Sequence, residues 1–197
     1  SHFCYVESHR EKRRNEINIS NDELLLLSVG RLTAAKDYNN LLHAFSIFLE
    51  NNCAKLAIIG TGELEAELKN LAKELAIDSH VIWLNRRDDV FQWMSAMDVY
   101  VMSSAWEGMP LVLCEAMASK GCIVTTDCGG TKDLVAGVGF VVQKKDAQHL
   151  AVGIENACKL SRAERIAIGE KARERVKQKY SIDAICDKWL KLYSSLT

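Results

Sequence analysis

Hydrophobic and polar residues alternate in two different periods along the first three quarters of the chain. Short runs of consecutive apolar residues predict buried parallel strands, and between them apolar residues recur every three or four positions, which predicts amphipathic helices. This alternation is typical of a parallel sheet whose right-handed crossovers place helices on both faces. The predicted fold class is therefore α/β, a doubly wound, Rossmann-like parallel sheet. The predicted strands cover residues 24–29, 55–59, 81–84, 99–102, 122–125 and 140–142.

The pattern becomes entirely helical after residue 145, with helices predicted over 146–160, 161–180 and 182–196. Another helix is predicted over 111–119, with Pro110 at its first position, where a missing N–H costs nothing. We therefore expect three parts: a polar, helical lead-in from a preceding domain (1–23), one ligand-binding domain (24–180), and a closing helix (181–197) that packs on the preceding domain.

Composition and charge narrow the functional classes. The 25 basic and 26 acidic residues give a net charge of -1, which argues against a nucleic-acid partner. Seven cysteines without a CxxC pair predict reduced thiols in a cytoplasmic compartment and argue against a zinc site. The run Arg10-Glu11-Lys12-Arg13-Arg14 predicts the solvated face of a helix, with contact to a membrane surface as the alternative.

Ligands of such folds bind where the strands end, so the loops after the strands hold the candidate chemistry. Arg31 and Lys36 follow the first strand, and two cations on one loop can converge on a pyrophosphate; the alternative is a solvated turn. Gly60-Thr61-Gly62 begins a GxGxxG pattern, but Glu65 replaces the third glycine and would repel a dinucleotide. We interpret it as a tight turn, with Glu63 in the first turn of the next helix.

The loops after the third and fourth strands supply the remaining candidates. Asn85 and Arg86 are placed to contact a nucleotide base, while Asp88 and Asp89 are expected to cap the next helix. After the fourth strand, Glu107 lies in the loop and a second carboxylate lies eight residues later, inside a helix. The free N–H groups at that helix start suit a phosphate, and two carboxylates suit sugar and ribose hydroxyls.

These motifs resemble those of the retaining GT-B glycosyltransferases known as glycosyl transferases group 1. Glu107 and Glu115 match the family's E-x7-E motif, and Gly30-Arg31-Leu32 with Lys36 is similar to its GRL-xxx-K signature. Residues 129–135 resemble its GG-xx-E loop, although Asp133 replaces the glutamate. Cys122 and Asn85 also depart from the usual proline and glycine. The predicted donor-binding residues are Gly30, Arg31, Lys36, Asn85, Arg86, Glu107, Gly108, Met109, Pro110, Leu111, Val112 and Glu115.

The resemblance implies a role for each matching residue. Arg31 and Lys36 would hold the donor's diphosphate and stabilise it as a leaving group. Glu107 would contact hydroxyls of the transferred sugar, so that these three form the catalytic set. Glu115 would hold the ribose. The main-chain amides at residues 111 and 112 would meet phosphate.

The resemblance also implies an activity: transfer of a sugar, with retention, from a nucleotide diphosphate sugar to a saccharide or lipid-linked acceptor. The expected setting is cell-surface polysaccharide or glycolipid synthesis in the cytoplasm, at the inner membrane face for a full-length, peripherally associated protein. No metal or cofactor is expected. The preceding domain would bind the acceptor, so this chain should bind donor without efficient turnover. The alternatives are a non-catalytic nucleotide-sugar-binding module and a dinucleotide-dependent oxidoreductase.

Overall fold

Six short parallel strands form the centre of the fold in the computed structural model, which describes residues 3–194. Their order across the sheet is β3-β2-β1-β4-β5-β6, so the direction of winding reverses between β1 and β4. The predicted doubly wound parallel sheet is confirmed, with strand ends that differ from the predictions by at most one residue. The strands are β1 (Leu25–Val29), β2 (Lys55–Ile59), β3 (Val81–Trp83), β4 (Val99–Met102), β5 (Cys122–Thr126) and β6 (Phe140–Val142).

Helices connect the strands and continue beyond the last one, and a 3-10 turn (Asp78–His80) precedes β3. The predicted last helix ends at Ser194 as far as the structure describes it; the rest of that prediction lies outside the described residues. The helices are α1 (Glu7–Glu16), α2 (Tyr38–Leu49), α3 (Glu65–Glu74), α4 (Val90–Ala96), α5 (Leu111–Ala118), α6 (Thr131–Val135), α7 (Ala147–Lys159), α8 (Arg162–Tyr180) and α9 (Ile182–Ser194).

The two faces of the sheet bury two hydrophobic cores. Along β1, Leu26 packs with residues of α2, α3 and α7 on one face, whereas Leu25 and Leu27 pack with α4, α5 and α8 on the other. Successive strand residues point to opposite faces, so a strand covered on both sides is apolar at most of its positions. This is why most positions of the strands are apolar, although buried Ser28 lies in β1 and two threonines end β5.

The basic run of α1 is buried, and the prediction of a solvated face is wrong. Arg10, Arg13 and Arg14 are only 2%, 7% and 1% exposed, and of the cations in the run only Lys12 is exposed. Arg10 and Arg14 both donate to the carboxylate of Asp98, at 2.9 and 3.1 Å, and to the carbonyl of Ala96 at the end of α4. These acceptors offset the cost of burying the guanidinium groups. The alternative of a membrane-binding face is wrong for the same reason.

The closing helix α9 packs on α8 and leaves many large apolar side chains in solvent. Trp189 and Tyr193 stack on each other at 5.9 Å while remaining 53% and 60% exposed. Ile182, Leu190 and Leu192 are exposed as well. Among residues 3–194, no helix is both long and apolar enough to cross a membrane.

Candidate functional site

A groove of about 690 Å³ lies at the carboxyl ends of β1 and β4, where the strand order reverses. This is the position at which open α/β sheets bind ligands. Nine of the twelve predicted donor-binding residues line it together. They are Gly30, Arg31, Lys36, Glu107, Met109, Pro110, Leu111, Val112 and Glu115.

The glycine turn after β2 holds the first cationic loop in place. The backbone N–H of Leu32 donates to the carbonyl of Thr61 at 3.0 Å. A Cβ atom on Gly62 would lie 2.3 Å from the carbonyl oxygen of Leu32, and one on Gly60 would lie 1.9 Å from that of Gly30. Glycine is therefore required here for close approach of two loops, which agrees with the predicted tight turn. Helix α3 begins only at Glu65, so Glu63 precedes its first turn.

Lys36 and Glu107 form an ion pair across the groove. Their side chains are 22% and 12% exposed, so water screens the pair only partly. The hydroxyl of Ser104 donates to the same carboxylate oxygen, Oε1, at 2.7 Å. Arg31 is exposed and has no ion-pair partner among the described residues. The site therefore combines one free cation with one cation that a carboxylate already neutralises.

The first residues of helix α5, Leu111 and Val112, line the groove. Pro110 has a ψ of 93° and is the N-cap, so it lies one residue before the predicted first helical position. The first N–H that bonds within this turn is that of Leu113, which donates to the Pro110 carbonyl at 3.0 Å. The N–H groups of Leu111 and Val112 precede it, and unsatisfied N–H groups at a helix start attract anions.

Glu115 lies further along α5 on the same wall of the groove. Burial raises the pKa of this carboxyl above its usual range, because desolvation disfavours the charged form. Cys114, beside it in the sequence, also has a raised pKa, chiefly from burial. Glu115 has no cationic partner among the described residues, and a partly buried carboxylate of this kind readily accepts hydrogen bonds, which ribose hydroxyls can donate.

The loop after β3 contributes different residues from those predicted. Asn85 and Arg86 are exposed and lie outside the groove, as does Gly108; Arg87 and Asp88 line it instead. Asn85 takes a positive φ of 52° and its carbonyl accepts from the N–H of Gly60, so its contribution is structural. The sequence pattern did not indicate this turn or that Arg87 and Asp88 would line the groove.

Asp89 is at the N-cap position of α4, but the predicted cap is wrong because its side chain accepts no bond from the helix. Its carboxylate instead pairs with Arg87 at 2.7 Å and with Arg13 at 2.8 Å. These contacts raise the pKa of Arg87 and lower that of Asp89, in both cases mainly through their shared hydrogen bond. Arg87 also lies over the ring of Trp93 at 5.1 Å. The groove wall near residue 87 is therefore held by several charged contacts.

The glycine loop after β5 touches the loop that carries Glu107. Gly129 has a φ of +50°, and a Cβ atom there would lie 1.8 Å from the carbonyl oxygen of Glu107. Gly130 also has a positive φ, of +82°, but has open space around its Cβ position. Asp133 lies in the first turn of α6. Loops from three strands thus converge on Glu107.

Comparisons with known proteins agree with this geometry. The family model described as "Glycosyl transferases group 1" matches residues 9–175 of the chain. An uncharacterized glycosyltransferase of Haemophilus influenzae is 31% identical over 198 residues, covering 90% of this chain and 55% of the relative. The UDP-Gal:alpha-D-GlcNAc-diphosphoundecaprenol alpha-1,3-galactosyltransferase of Escherichia coli is 29% identical over 136 residues, covering 66% of this chain and 35% of the relative.

Solved structures show the same fold. The crystal structure of Anabaena HepE in complex with UDP and glucose superposes with a TM-score of 0.87 at 23% identity, covering 98% of this chain and 54% of that one. The structural neighbours are GT-B glycosyltransferases, so the predicted GT-B type of fold is confirmed. The chain spans about half the length of the first curated relatives that it matches.

Proposed function

The chain belongs to the glycosyl transferases group 1 family, and from this premise we propose that it binds the nucleotide diphosphate sugar of a retaining sugar transfer. The observation that carries the proposal is the convergence of Arg31, Lys36 and the start of α5 on one groove that also contains Glu107 and Glu115. Cations and free N–H groups suit a diphosphate, and carboxylates suit the hydroxyls on either side of it.

The proposed chemistry is stabilisation of the leaving group. As the bond between sugar and diphosphate breaks, positive charge develops on the ring and negative charge on the departing oxygen. Arg31, Lys36 and the N–H groups at residues 111 and 112 would stabilise that negative charge from fixed positions. Glu107 would orient hydroxyls of the sugar, and Glu115 would hold the ribose. The proposed reaction needs no cofactor besides the nucleotide sugar.

The acceptor and its domain belong to the proposal as well. The name of the Escherichia coli relative gives UDP-Gal as donor and a lipid diphosphate sugar as acceptor, which supports a nucleotide-sugar donor and a saccharide or lipid-linked acceptor here. We propose that a preceding domain binds this acceptor and covers the apolar face of α9. A full-length enzyme would then act in the cytoplasm, at the membrane that presents the lipid, in surface polysaccharide or glycolipid synthesis. The isolated chain would bind donor without efficient turnover.

Direct titration tests the donor site. Calorimetry of the chain with UDP, GDP and ADP should show binding of at least one, and Arg31→Ala and Lys36→Ala should each weaken it. Loss of one charge-assisted contact costs about 1.5–3 kcal/mol. Lys12→Ala, on an exposed part of α1, is the matched loss of a cation away from the groove. Absence of heat with all three nucleotides at millimolar concentration would overturn the proposal.

Paired titrations with a diphosphate and its sugar conjugate separate the two carboxylates. Glu115→Gln should weaken both ligands, because both contain ribose. Glu107→Gln should remove the extra affinity that the sugar contributes, without weakening the free diphosphate. If both variants lose diphosphate affinity equally, the roles assigned to them are wrong; if neither changes either ligand, the groove does not bind the donor. The non-catalytic alternative predicts the same binding but no transfer in a full-length protein.

The oxidoreductase alternative lacks its main sequence feature. A dinucleotide site places GxGxxG directly after the first strand, and this chain has Gly30-Arg31-Leu32 there. NADH and NADPH serve as control ligands in the same titrations, and neither should compete with the diphosphate.

A further inference from the structure

A serine inside the β4–α5 loop contacts the carboxylate of Glu107. Ser104 is fully buried, and its Oγ donates to Oε1 of Glu107 at 2.7 Å. Burying a hydroxyl costs free energy unless it forms hydrogen bonds, and here the bond is made to the side chain that faces the sugar position. The loop itself is fixed, because the N–H of Ala105 donates to the carbonyl of Ala35 at 2.9 Å.

A chain of buried hydroxyls connects Ser104 to the glycine loop. Thr126, at the end of β5, donates from Oγ1 to the carbonyl of Ser104 at 2.6 Å. Thr131, at the start of α6, donates to the carbonyl of Thr126 at 2.7 Å, and its Oγ1 accepts from the N–H of Cys128 at 3.0 Å. Thr126 and Thr131 are fully buried. The position of Ser104 is therefore set by the same segment that holds Gly129 against Glu107.

Two donors of different character thus share one oxygen of Glu107. Lys36 is a mobile cation on a flexible stem, whereas Ser104 is a neutral donor on a fixed loop. A diphosphate would draw Lys36 away from the carboxylate, because phosphate oxygens compete for the ammonium group. The hydroxyl of Ser104 would stay, since nothing in a diphosphate draws it out of the interior.

We infer that Ser104 is the positioning residue of Glu107: it keeps Oε1 in place when Lys36 moves to the diphosphate, so that Oε2 meets a hydroxyl of the sugar. The inference rests on the proposed function, in which Glu107 orients the sugar. Burial by itself does not supply such a contact. Ser119 is also buried, yet its Oγ has no hydrogen-bond partner among the described residues.

The test compares the affinity for a free diphosphate with that for its sugar conjugate, using UDP with UDP-galactose and UDP-glucose, and GDP with GDP-mannose. The dissociation constant of the free diphosphate divided by that of its sugar conjugate measures the affinity that the sugar adds. Ser104→Ala should lower that ratio as far as Glu107→Gln does. Its affinity for the free diphosphate should equal that of the parent chain. Losing a hydrogen bond to a charged group corresponds to about 10- to 150-fold in affinity.

Three further variants make the result specific. Ser104→Thr keeps the hydroxyl and should keep the ratio of the parent chain. Ser119→Ala removes a buried hydroxyl that bonds to nothing among residues 3–194 and should also keep it. The double variant Ser104→Ala with Glu107→Gln should lose no more than Glu107→Gln alone, since the serine acts through the glutamate.

The outcomes separate this inference from the proposed function. If Glu107→Gln loses the sugar's contribution and a folded Ser104→Ala retains it, Glu107 orients the sugar without Ser104 and the inference is overturned. It is also overturned if Ser104→Ala weakens the free diphosphate equally, or if Ser104→Thr fails to restore the ratio. If the parent chain binds none of the nucleotides, the proposed function fails, and the inference fails with it.

Discussion

Asp98 offsets the charge of two buried guanidinium groups of α1. Removing its negative charge is the sharpest test of how α1 packs on the domain. Its carboxylate accepts from Arg10 at 2.9 Å, from Arg14 at 3.1 Å and from the N–H of Leu25 at 2.8 Å. Asp98→Asn keeps the shape of the side chain but removes its charge. It also replaces one acceptor by an NH₂ group that faces a donor. We therefore expect a large loss of stability with little change in the groove.

The size of the expected loss of stability follows from the burial of the three charged side chains. The side chains of Arg10, Arg14 and Asp98 are 3%, 1% and 7% exposed, so water cannot replace the lost charge. Burial already lowers the pKa of Arg14, which shows that its charged form is held at a cost. Breaking a buried ion pair on one side costs about 3–5 kcal/mol. For a chain of this size the melting temperature should fall by about 6–20 °C.

Urea unfolding of the parent chain and Asp98→Asn measures the difference. Glu11→Gln, the same chemical change on the exposed side of α1, should alter stability by less than about 0.5 kcal/mol. The triple variant Asp98→Leu, Arg10→Met, Arg14→Met should recover most of the loss, because apolar side chains can replace a buried ionic cluster. A loss below about 1 kcal/mol for Asp98→Asn is the value of a surface ion pair and would refute this account.

Three further predictions concern the groove. Gly129→Ala should destabilise the chain by about 1–3 kcal/mol and remove the sugar's contribution to affinity, because its Cβ would overlap the carbonyl of Glu107. Gly130→Ala also places alanine at a positive φ and should lose stability through that strain, but its Cβ meets open space, so the sugar's contribution should be kept. Glu107→Gln should tighten binding of free UDP by up to about fivefold, since Lys36 is released from its ion pair; unchanged or weaker binding in calorimetry would contradict this. Glu115→Gln should stabilise the chain against urea at pH 7, because burial raises the pKa of this carboxyl in the folded state and its ionisation therefore opposes folding. That gain should vanish as the pH falls below 4.5, the usual pKa of a glutamate, because the carboxyl is then protonated in both the folded and the unfolded state. A gain in stability that does not change with pH would contradict this prediction.

The fold and the location of the site could be predicted from the sequence, because both depend on local signals. The strands Lys55–Ile59, Val99–Met102 and Phe140–Val142 have the ends that their apolar runs predicted. Parallel strands bring all their carboxyl ends to one edge of the sheet. The loops with Arg31 and Glu107 had to meet there once the strand order was fixed, and nine of the twelve predicted residues line one groove.

The tertiary structure alone decided which charged groups are buried and which side chains enter the groove. Arg10 and Asp98 are 88 positions apart in the sequence. Because this partner is so distant, the run of cations alone predicted a solvent-exposed helix face. Asn85 takes a positive φ, and two residues later Arg87, instead of Arg86, lines the groove; no periodicity encodes such a single turn. The contact of Ser104 with Glu107 depends on the bend of one loop. Hydrophobic periodicity reports how a segment faces the core, whereas the pairing of polar groups depends on distances between segments.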